Sequence, residues 1–353
     1  MKSEILFISR NYPPQIGGLE AYSYNLINHF SQQQSVRKIV LGKSRRHLLW
    51  FMPYALLKAV YWTRRERIGR IHLCDGFLSV LGVLLKFLGP CNVSVTIHGL
   101  DITYRNRFYQ SLIPRCVSRL DKIICVSRHT RKECLNRGIP AEKIHVIPNG
   151  IDPADFQISQ SRERCRAEAA ERLGVSVDGK RILLTVGRLV PRKGVAWFVE
   201  EVMPRLDGSY LYLVAGEGPD FDRIASLVSH CHLQDRVFLL GKVTEDTRNK
   251  IFHASDLFIM PNIEVDGDVE GFGIAAIEAG CCGLPVIASD VQGLKDAVLD
   301  GRTGFLVEAE NAEKFGDRVC RTDLDRQAVR SLVIETYNWS RIYQRYREVL
   351  MSL

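Results

Sequence analysis

The chain has 353 residues, 46% hydrophobic and 25% charged, with a formal net charge of +8. That length predicts two domains, and ordinary globular composition without low-complexity segments or internal repeats excludes a fibrous or disordered protein. The charge is uneven: residues 1–150 carry 23 Lys and Arg against 8 Asp and Glu (+15), whereas residues 151–353 carry 25 against 32 (−7). This split supports two domains and points the first towards an anionic partner, with nucleic acid, an anionic membrane and an anionic substrate all open.

Glu4–Ser9 reads as a buried first strand. Glu4 stands where a signal peptide would be basic, and Ile5–Ile8 is too short for an apolar signal core. A loop over Asn11–Gly18 and a helix from about Leu19 to Phe30 follow. Further strands are expected at Lys38–Leu41, Ile71–Cys74, Val93–Ile97 and Lys122–Val126, with helices at Leu48–Thr63, Phe77–Leu88 and Arg105–Leu120, and then Ile144–Ile147. Phe77–Gly89, the longest apolar run, contains Lys86 and is far short of the ~20 residues of a spanning helix, so no membrane crossing is expected. Pro148-Asn149-Gly150-Ile151-Asp152-Pro153 is a turn-rich linker. After helix Arg162–Leu173, strands are expected at Arg181–Val186, Tyr210–Ala215, Val237–Leu240, Leu257–Met260 and Pro285–Ala288. Helices alternate with them near Gly194–Leu206, Phe221–His232, Asp246–Ala254, Gly271–Cys281 and Ala312–Cys320, and an amphipathic helix, about Arg341–Leu350, closes the chain. Buried strands alternating with helices predict two open, parallel α/β sheets, whose ligands bind beyond the carboxyl ends of the strands.

Glu270-Gly271-Phe272-Gly273-Ile274-Ala275-Ala276-Ile277-Glu278 carries the most chemical information. If helical, its two carboxylates lie near one face, with glycines and helix amides between them for an anion. Sugar hydroxyls at both ends and phosphates in the middle would suit it, as in a sugar nucleotide. Gly271, Gly273 and Ala276 also match a dinucleotide fingerprint, but Pro261–Glu270 separates them from the preceding strand, which that motif does not allow.

Gly187-Arg188-Leu189-Val190-Pro191-Arg192-Lys193-Gly194 follows a strand and starts a helix. Arg188 and Lys193 would sit at the strand's carboxyl end, where Arg offers a planar fork to phosphate and Lys a point charge; the bland alternative is a solvated loop. Gly17-Gly18, after the first strand, can present amides to phosphate or simply turn the chain. His98-Gly99, ending a strand, can hydrogen-bond a hydroxyl or merely cap the strand. Asp266-Gly267-Asp268 resembles a metal-binding pair, but with basic residues and amides already available to a diphosphate no metal is expected. The ten cysteines include no Cys-x-x-Cys and read as buried thiols of a cytosolic protein. Leu48–Thr63, with Trp50, Phe51, Tyr54, Lys58, Tyr61 and Trp62 before Arg64, Arg65, Arg67 and Arg70, can lie at a membrane surface or cover the core.

Together, Gly17-Gly18, His98-Gly99, Asn149-Gly150-Ile151-Asp152, Gly187-Arg188…Lys193-Gly194, Gly216-Glu217-Gly218-Pro219, Glu270…Glu278 and Gly283-Leu284-Pro285-Val286-Ile287-Ala288 resemble the retaining glycosyltransferases of the GT-B fold, family four, over Asn11 to Trp339. The resemblance implies an α/β fold of two facing Rossmann-like domains with a cleft between them. Residues 1–152 would bind the acceptor, 153–339 the donor, and helix 340–353 would return to the first domain. It implies that Arg188 and Lys193 hold the donor diphosphate with amides near Gly17, Gly18, Gly187 and the helix start. Glu278 would hold the ribose. Glu270, with the amides of Phe272, Gly273 and Ile274, and His98 would hold the sugar, and the loop at Lys242 and Val243 would lie near the base. Ala275 and Ala276 replace larger aliphatics common in the family, and the Asp266–Asp268 loop is unusually acidic. Transfer with retained anomeric configuration is implied, with a nucleotide-sugar donor, a lipid-linked or saccharide acceptor, no cofactor and no metal. With it go a cytoplasmic location, peripheral contact of the basic first domain with an anionic membrane, and no nucleic-acid partner, since no recognition motif accompanies the charge. The alternatives are a sugar-nucleotide epimerase or phosphorylase of the same fold, or a non-catalytic scaffold.

Overall fold

A computed structural model of the protein describes residues 5–15, 17–42 and 45–352. Glu4 of the expected first strand and Ile16 of the glycine loop lie outside the described residues. The chain divides into two compact units, Met1–Gly150 with Gly267–Phe272 and Trp339–Leu353, and Ile151–Asp266 with Gly273–Asn338. Gly267–Phe272 thus groups with the first unit although it lies far along the chain.

The first unit runs β1 (Ile5–Ser9), α1 (Gly18–Gln33), β2 (Val36–Val40), α2 (Leu48–Arg65), β3 (Arg70–Leu73), α3 (Ser79–Leu88), β4 (Asn92–Ile97), α4 (Leu100–Thr103), α5 (Arg107–Ser118), β5 (Lys122–Cys125), α6 (Arg128–Asn136) and β6 (Ile144–Val146). The strands are parallel, in the order β2-β1-β3-β4-β5-β6. β1 shows why both sheet faces must be covered. Leu6 and Ile8 join one core with Phe51 and Ala55 of α2, Leu81 and Leu85 of α3 and Ile113 of α5, while Ile5 and Phe7 join another with Tyr22, Leu26 and Phe30 of α1. Successive strand residues point to opposite faces, so an unbroken apolar run must be buried on both.

The second unit runs α7 (Arg162–Leu173), β7 (Arg181–Val186), α8 (Val195–Trp197), β8 (Tyr210–Ala215), α9 (Phe221–His230), β9 (Val237–Gly241), α10 (Glu245–Ala254), β10 (Leu257–Met260), α11 (Ile274–Cys281), β11 (Val286–Ser289), α12 (Leu294–Ala297), β12 (Gly304–Val307), α13 (Ala312–Arg321) and α14 (Arg326–Tyr337). Its parallel sheet has the order β12-β11-β10-β7-β8-β9. The last helix, α15 (Trp339–Met351), packs in the first unit, where Ile342, Tyr343, Tyr346 and Leu350 join Tyr22 and Phe30 of α1.

Several elements differ from the sequence reading. The helix expected at Arg105–Leu120 forms as α5 but starts only at Arg107, because Asn106 is extended and its side chain caps α5 by accepting from the Tyr109 amide; the short α4 before it was not expected. α6 was not expected: only Thr130 and Cys134 of its nine residues are buried, so it shows little periodicity, although Ser127 caps it. Gly194–Leu206 is no single helix. It passes from α8 through a wide turn over Phe198–Val202 to a 3-10 turn over Met203–Arg205, where Pro204 cannot continue the hydrogen-bond ladder. α12, β12 and α14 were also missed. α14 was readable, because its buried Val329, Val333 and Tyr337 recur every fourth residue behind an Asp325 cap.

The largest correction concerns the acidic–glycine segment. The helix begins at Ile274 rather than Gly271, with Gly273 as its N-cap at φ +94°. Glu270 is therefore in a loop, and Glu270 and Glu278 do not share a helical face.

Candidate functional site

In open parallel sheets, ligands bind beyond the carboxyl ends of the strands where the strand order reverses, because the loops diverge there. In the first sheet that point lies between β1 and β3, and in the second between β7 and β10.

In the first unit, the loop after β1 leads through Arg10 and Asn11 to Gly17 and Gly18, both exposed at the start of α1. Glu20 folds back over this end, so that a Cβ on Gly17 would lie 2.4 Å from Glu20 Oε2. The carboxylate stabilises the positive end of the helix and stands where the sequence reading expected only amides. Asp75, after β3, is buried, pairs with Arg10 Nε at 2.9 Å and caps the next turn by accepting from the Phe77 amide. Asn11 is also buried, and its Oδ1 has no hydrogen-bond partner among the described residues. A buried acceptor left this way costs stability unless another molecule donates to it.

His98 ends β4 and is half-buried. Its Nε2 lies 2.9 Å from the Cys74 carbonyl, so in the neutral ring Nε2 carries the proton and Nδ1 accepts. Tyr22 packs edge-on against the ring, with centroids 4.5 Å apart, and the Tyr22 hydroxyl is held by Thr96 at 2.7 Å and by Tyr346 of α15 at 2.9 Å. Asp101 ties the loops together, accepting from the amides of Gly76 and His98, each at 2.8 Å. Burial raises its carboxyl pKa, and the neighbouring His98 charge opposes that rise.

Glu270 comes to this same end of the unit. A Cβ on Gly271 would lie 1.7 Å from the His98 carbonyl oxygen, so only glycine allows the two backbones to approach, and Thr130 Oγ1 donates to the Gly271 carbonyl at 3.4 Å. Glu270 is 9% exposed and Phe272 is buried. Arg105 lies against Gly267 of the acidic loop, where a Cβ would be 2.7 Å from its Nε. Among the described residues no three His, Cys, Asp or Glu side chains are grouped as metal ligands.

In the second unit, Gly187 donates to the Ala215 carbonyl at 3.0 Å as β7 ends. Arg188 is exposed and Lys193 half-buried, in a loop held against the one after β10 by the Ile263 amide donating to the Arg192 carbonyl at 3.1 Å. Glu278, on α11, is half-buried. Burial raises its carboxyl pKa, Arg248 and Lys193 pull it down, and Asp155 adds to the rise. Lys193 and Glu278 therefore share one electrostatic neighbourhood. Asn249 fixes its rim by donating from Nδ2 to the Asp155 carbonyl at 2.7 Å, and the Arg248 guanidinium stacks 5.0 Å from the Phe156 ring. Lys242, exposed, and Val243, half-buried, follow β9.

The first unit thus gathers His98, Glu270 and Phe272 and places Gly17 and Gly18 at a neighbouring strand end. The second brings Lys193 to Glu278 and places Gly187, Arg188, Lys242, Val243, Gly273 and Ile274 at strand ends or the start of α11. Asp75, Asp101, Tyr22, Asp155 and Arg248 escaped the sequence reading. Asp75-Gly76 carries the same strand-end signal as His98-Gly99, and attention to that pattern would have found it. The others declare themselves only through contacts distant in sequence.

Comparison with known proteins agrees with this architecture. The family described as Glycosyl transferases group 1 matches residues 168–339, and Glycosyltransferase Family 4 matches residues 33–155. An uncharacterized glycosyltransferase of Methanocaldococcus jannaschii is 31% identical over 313 residues, covering 84% of this chain and 78% of that protein. A GDP-mannose-dependent alpha-(1-6)-phosphatidylinositol monomannoside mannosyltransferase of Mycobacterium tuberculosis is 29% identical over 256 residues. That match covers 70% of this chain and spans 65% of the mycobacterial protein's length. Anabaena HepE, solved in complex with UDP, superposes with a TM-score of 0.79 over 99% of this chain and 100% of its own, at 18% identity. With two parallel six-stranded sheets in the GT-B arrangement of elements, the chain belongs to the group 1, family 4 glycosyltransferases.

Proposed function

We propose that this glycosyltransferase moves a sugar from a nucleoside diphosphate sugar to a hydroxyl acceptor, with retained anomeric configuration and without a metal ion. The acceptor is a lipid-linked or cell-surface polysaccharide precursor at the cytoplasmic face of the membrane. The observation that carries the donor reading is Glu278 in the same electrostatic neighbourhood as Lys193 and Arg248. A carboxylate suits ribose hydroxyls and adjacent cations suit phosphates. Arg188 and Lys193, with the amides at Gly17, Gly18, Gly187 and the start of α11, neutralise the leaving diphosphate. Preorganised charge of this kind usually lowers the barrier more than any other device in the site. Glu270, His98 and the amides of Phe272, Gly273 and Ile274 hold the donor sugar, and Lys242 and Val243 border the base. His98, whose Nε2 faces the Cys74 carbonyl, turns Nδ1 towards a sugar hydroxyl. In this reading residues 153–339 supply most of the donor contacts, and residues 1–152 bind the acceptor while Gly17, Gly18 and His98 reach the donor. The mycobacterial relative, whose name specifies a phosphatidylinositol-based acceptor, supports a lipid acceptor here.

The test is nucleoside diphosphate release from a panel of UDP-, GDP- and ADP-sugars, with and without anionic lipid extract and EDTA. Release from one donor, stimulated by the extract and surviving EDTA, is the expected result, and Lys193→Ala should lower it by roughly 10²–10³. An isomerised sugar nucleotide or an accumulating sugar 1-phosphate would instead identify an epimerase or a phosphorylase. No release and no binding of any donor would leave a scaffold.

A further inference from the structure

α2 is apolar on two sides. Phe51, Ala55 and Ala59 face the core, where they are buried. Trp50, Tyr54, Leu57 and Tyr61, spaced by four, three and four residues, form a second stripe that stays outside, with Trp50 80% and Leu57 72% exposed. Leu49 extends this stripe at 85% exposure. α3 adds Leu84, Leu88 and Phe87, the last 92% exposed. Arg64 Nη2 donates to the Leu88 carbonyl at 3.1 Å, which fixes the ends of the two helices side by side and joins their apolar faces. One helical turn beyond Tyr61 the stripe meets Arg64 and Arg65, and Arg67 follows; all three are exposed. Neither helix contains a single carboxylate.

The charge selects the occupant. A second copy docked through the same face would meet an equally basic surface, whose adjoining carboxylates Glu66 and Asp121 are already paired with Arg37 and Lys86. An anionic bilayer supplies what this face lacks: aromatic rings settle at the headgroup level, aliphatic side chains reach the acyl boundary and guanidiniums pair with lipid phosphates. We propose that the joined edge of α2 and α3 docks the protein on an anionic membrane surface. Trp50, Leu57, Tyr61 and Phe87 enter the interface while Arg64, Arg65 and Arg67 engage phosphates. This deepens the reading of a membrane-borne acceptor by naming the surface that meets the membrane, and it is measured without any sugar donor, so its failure and that of the transferase reading are separable.

The experiment is flotation of the full chain with vesicles of phosphatidylcholine alone or with phosphatidylglycerol added. The expected result is binding to the anionic vesicles, weak binding to the neutral ones, and loss of binding as salt rises. At about fivefold per arginine, the double variant R65E/R67E should weaken partition by at least roughly 25-fold. The variant W50S/L57S should abolish binding even at low salt. All four substituted side chains are exposed, so an unchanged thermal melt establishes that the variants fold. Absence of wild-type binding to anionic vesicles, or binding unaffected by both variants, would overturn the proposal. So would a wild-type dimer that W50S/L57S converts to a monomer with no vesicle binding, which would make this edge an interface between copies.

Discussion

At the scale of single residues, Glu278 stands under two opposed demands. Burial raises its pKa above the ordinary 4.5, and Asp155 adds to the rise, while Arg248 and Lys193 restrain it. A carboxyl whose folded pKa is raised contributes stability that is complete below its unfolded value and is lost as pH rises through the folded value. Glu278 therefore destabilises the free protein at neutral pH, where its charged form is the stronger acceptor for ribose hydroxyls. Glu278→Gln should raise the melting temperature at pH 7.5, with the gain vanishing below pH 4.5. The same change should weaken donor binding by roughly 1.5–3 kcal/mol, the usual worth of hydrogen bonds to a charged group. Calorimetry of the two proteins across pH, with donor titrations, checks both. A variant that melts lower at neutral pH while binding donor normally would exclude this role.

At the scale of elements, the second unit's site depends on loops rather than on a long helix. The loop after β7 ends at Gly194, with φ +65°, where a Cβ would lie 1.8 Å from the Pro261 carbonyl oxygen. Both the left-handed backbone and the missing Cβ are needed for this loop to lie against the one after β10. Gly194→Ala should cost about 2 kcal/mol or more, lowering the melting temperature of the second unit by roughly 4–8 °C. Because Lys193 precedes it directly, glycosyl transfer should fall further than stability predicts. Thermal melts and turnover of one preparation test this, and a variant with wild-type melting and turnover would show that the loop accommodates the side chain. The same loop explains why Gly194–Leu206 does not form one helix: the glycine turn at one end and Pro204 at the other leave a single short run, which closes with a wide turn.

At the scale of the whole molecule, α15 is tied to the first sheet by polar contacts as well as by apolar packing. His72, fully buried, lies 2.9 Å from Ser94 Oγ through Nδ1 and 3.1 Å from Thr96 Oγ1 through Nε2, and Thr96 Oγ1 in turn lies 3.2 Å from the hydroxyl of Tyr346 on α15. Burial, reinforced by the charge of His98, pushes the His72 pKa down to about 3 from 6.5. A depressed histidine holds its full stability above the unfolded value and loses it as pH falls through 6.5 towards 3. One such group removes about 1.4 kcal/mol per pH unit in that window. Urea midpoints should therefore fall from pH 7 to pH 5, and His72→Leu, less stable at pH 7, should show a flatter decline. Parallel declines in the two proteins would contradict the assignment. The sequence by itself determined the alternation of buried strands and helices, the glycine turns at strand ends and the two sets of charged residues beyond them. These are local requirements, written as unbroken apolar runs and as residues without a Cβ where the chain must turn. Only the tertiary structure decided that α11 starts at Ile274, that Glu270 stands beside His98 in the first unit, and that Asp101, Tyr22, Asp155 and Arg248 surround the candidate residues. Each of these depends on which distant segments come together, as Gly271 meets the His98 carbonyl and Leu294 packs against Gly273, and no local pattern specifies those approaches.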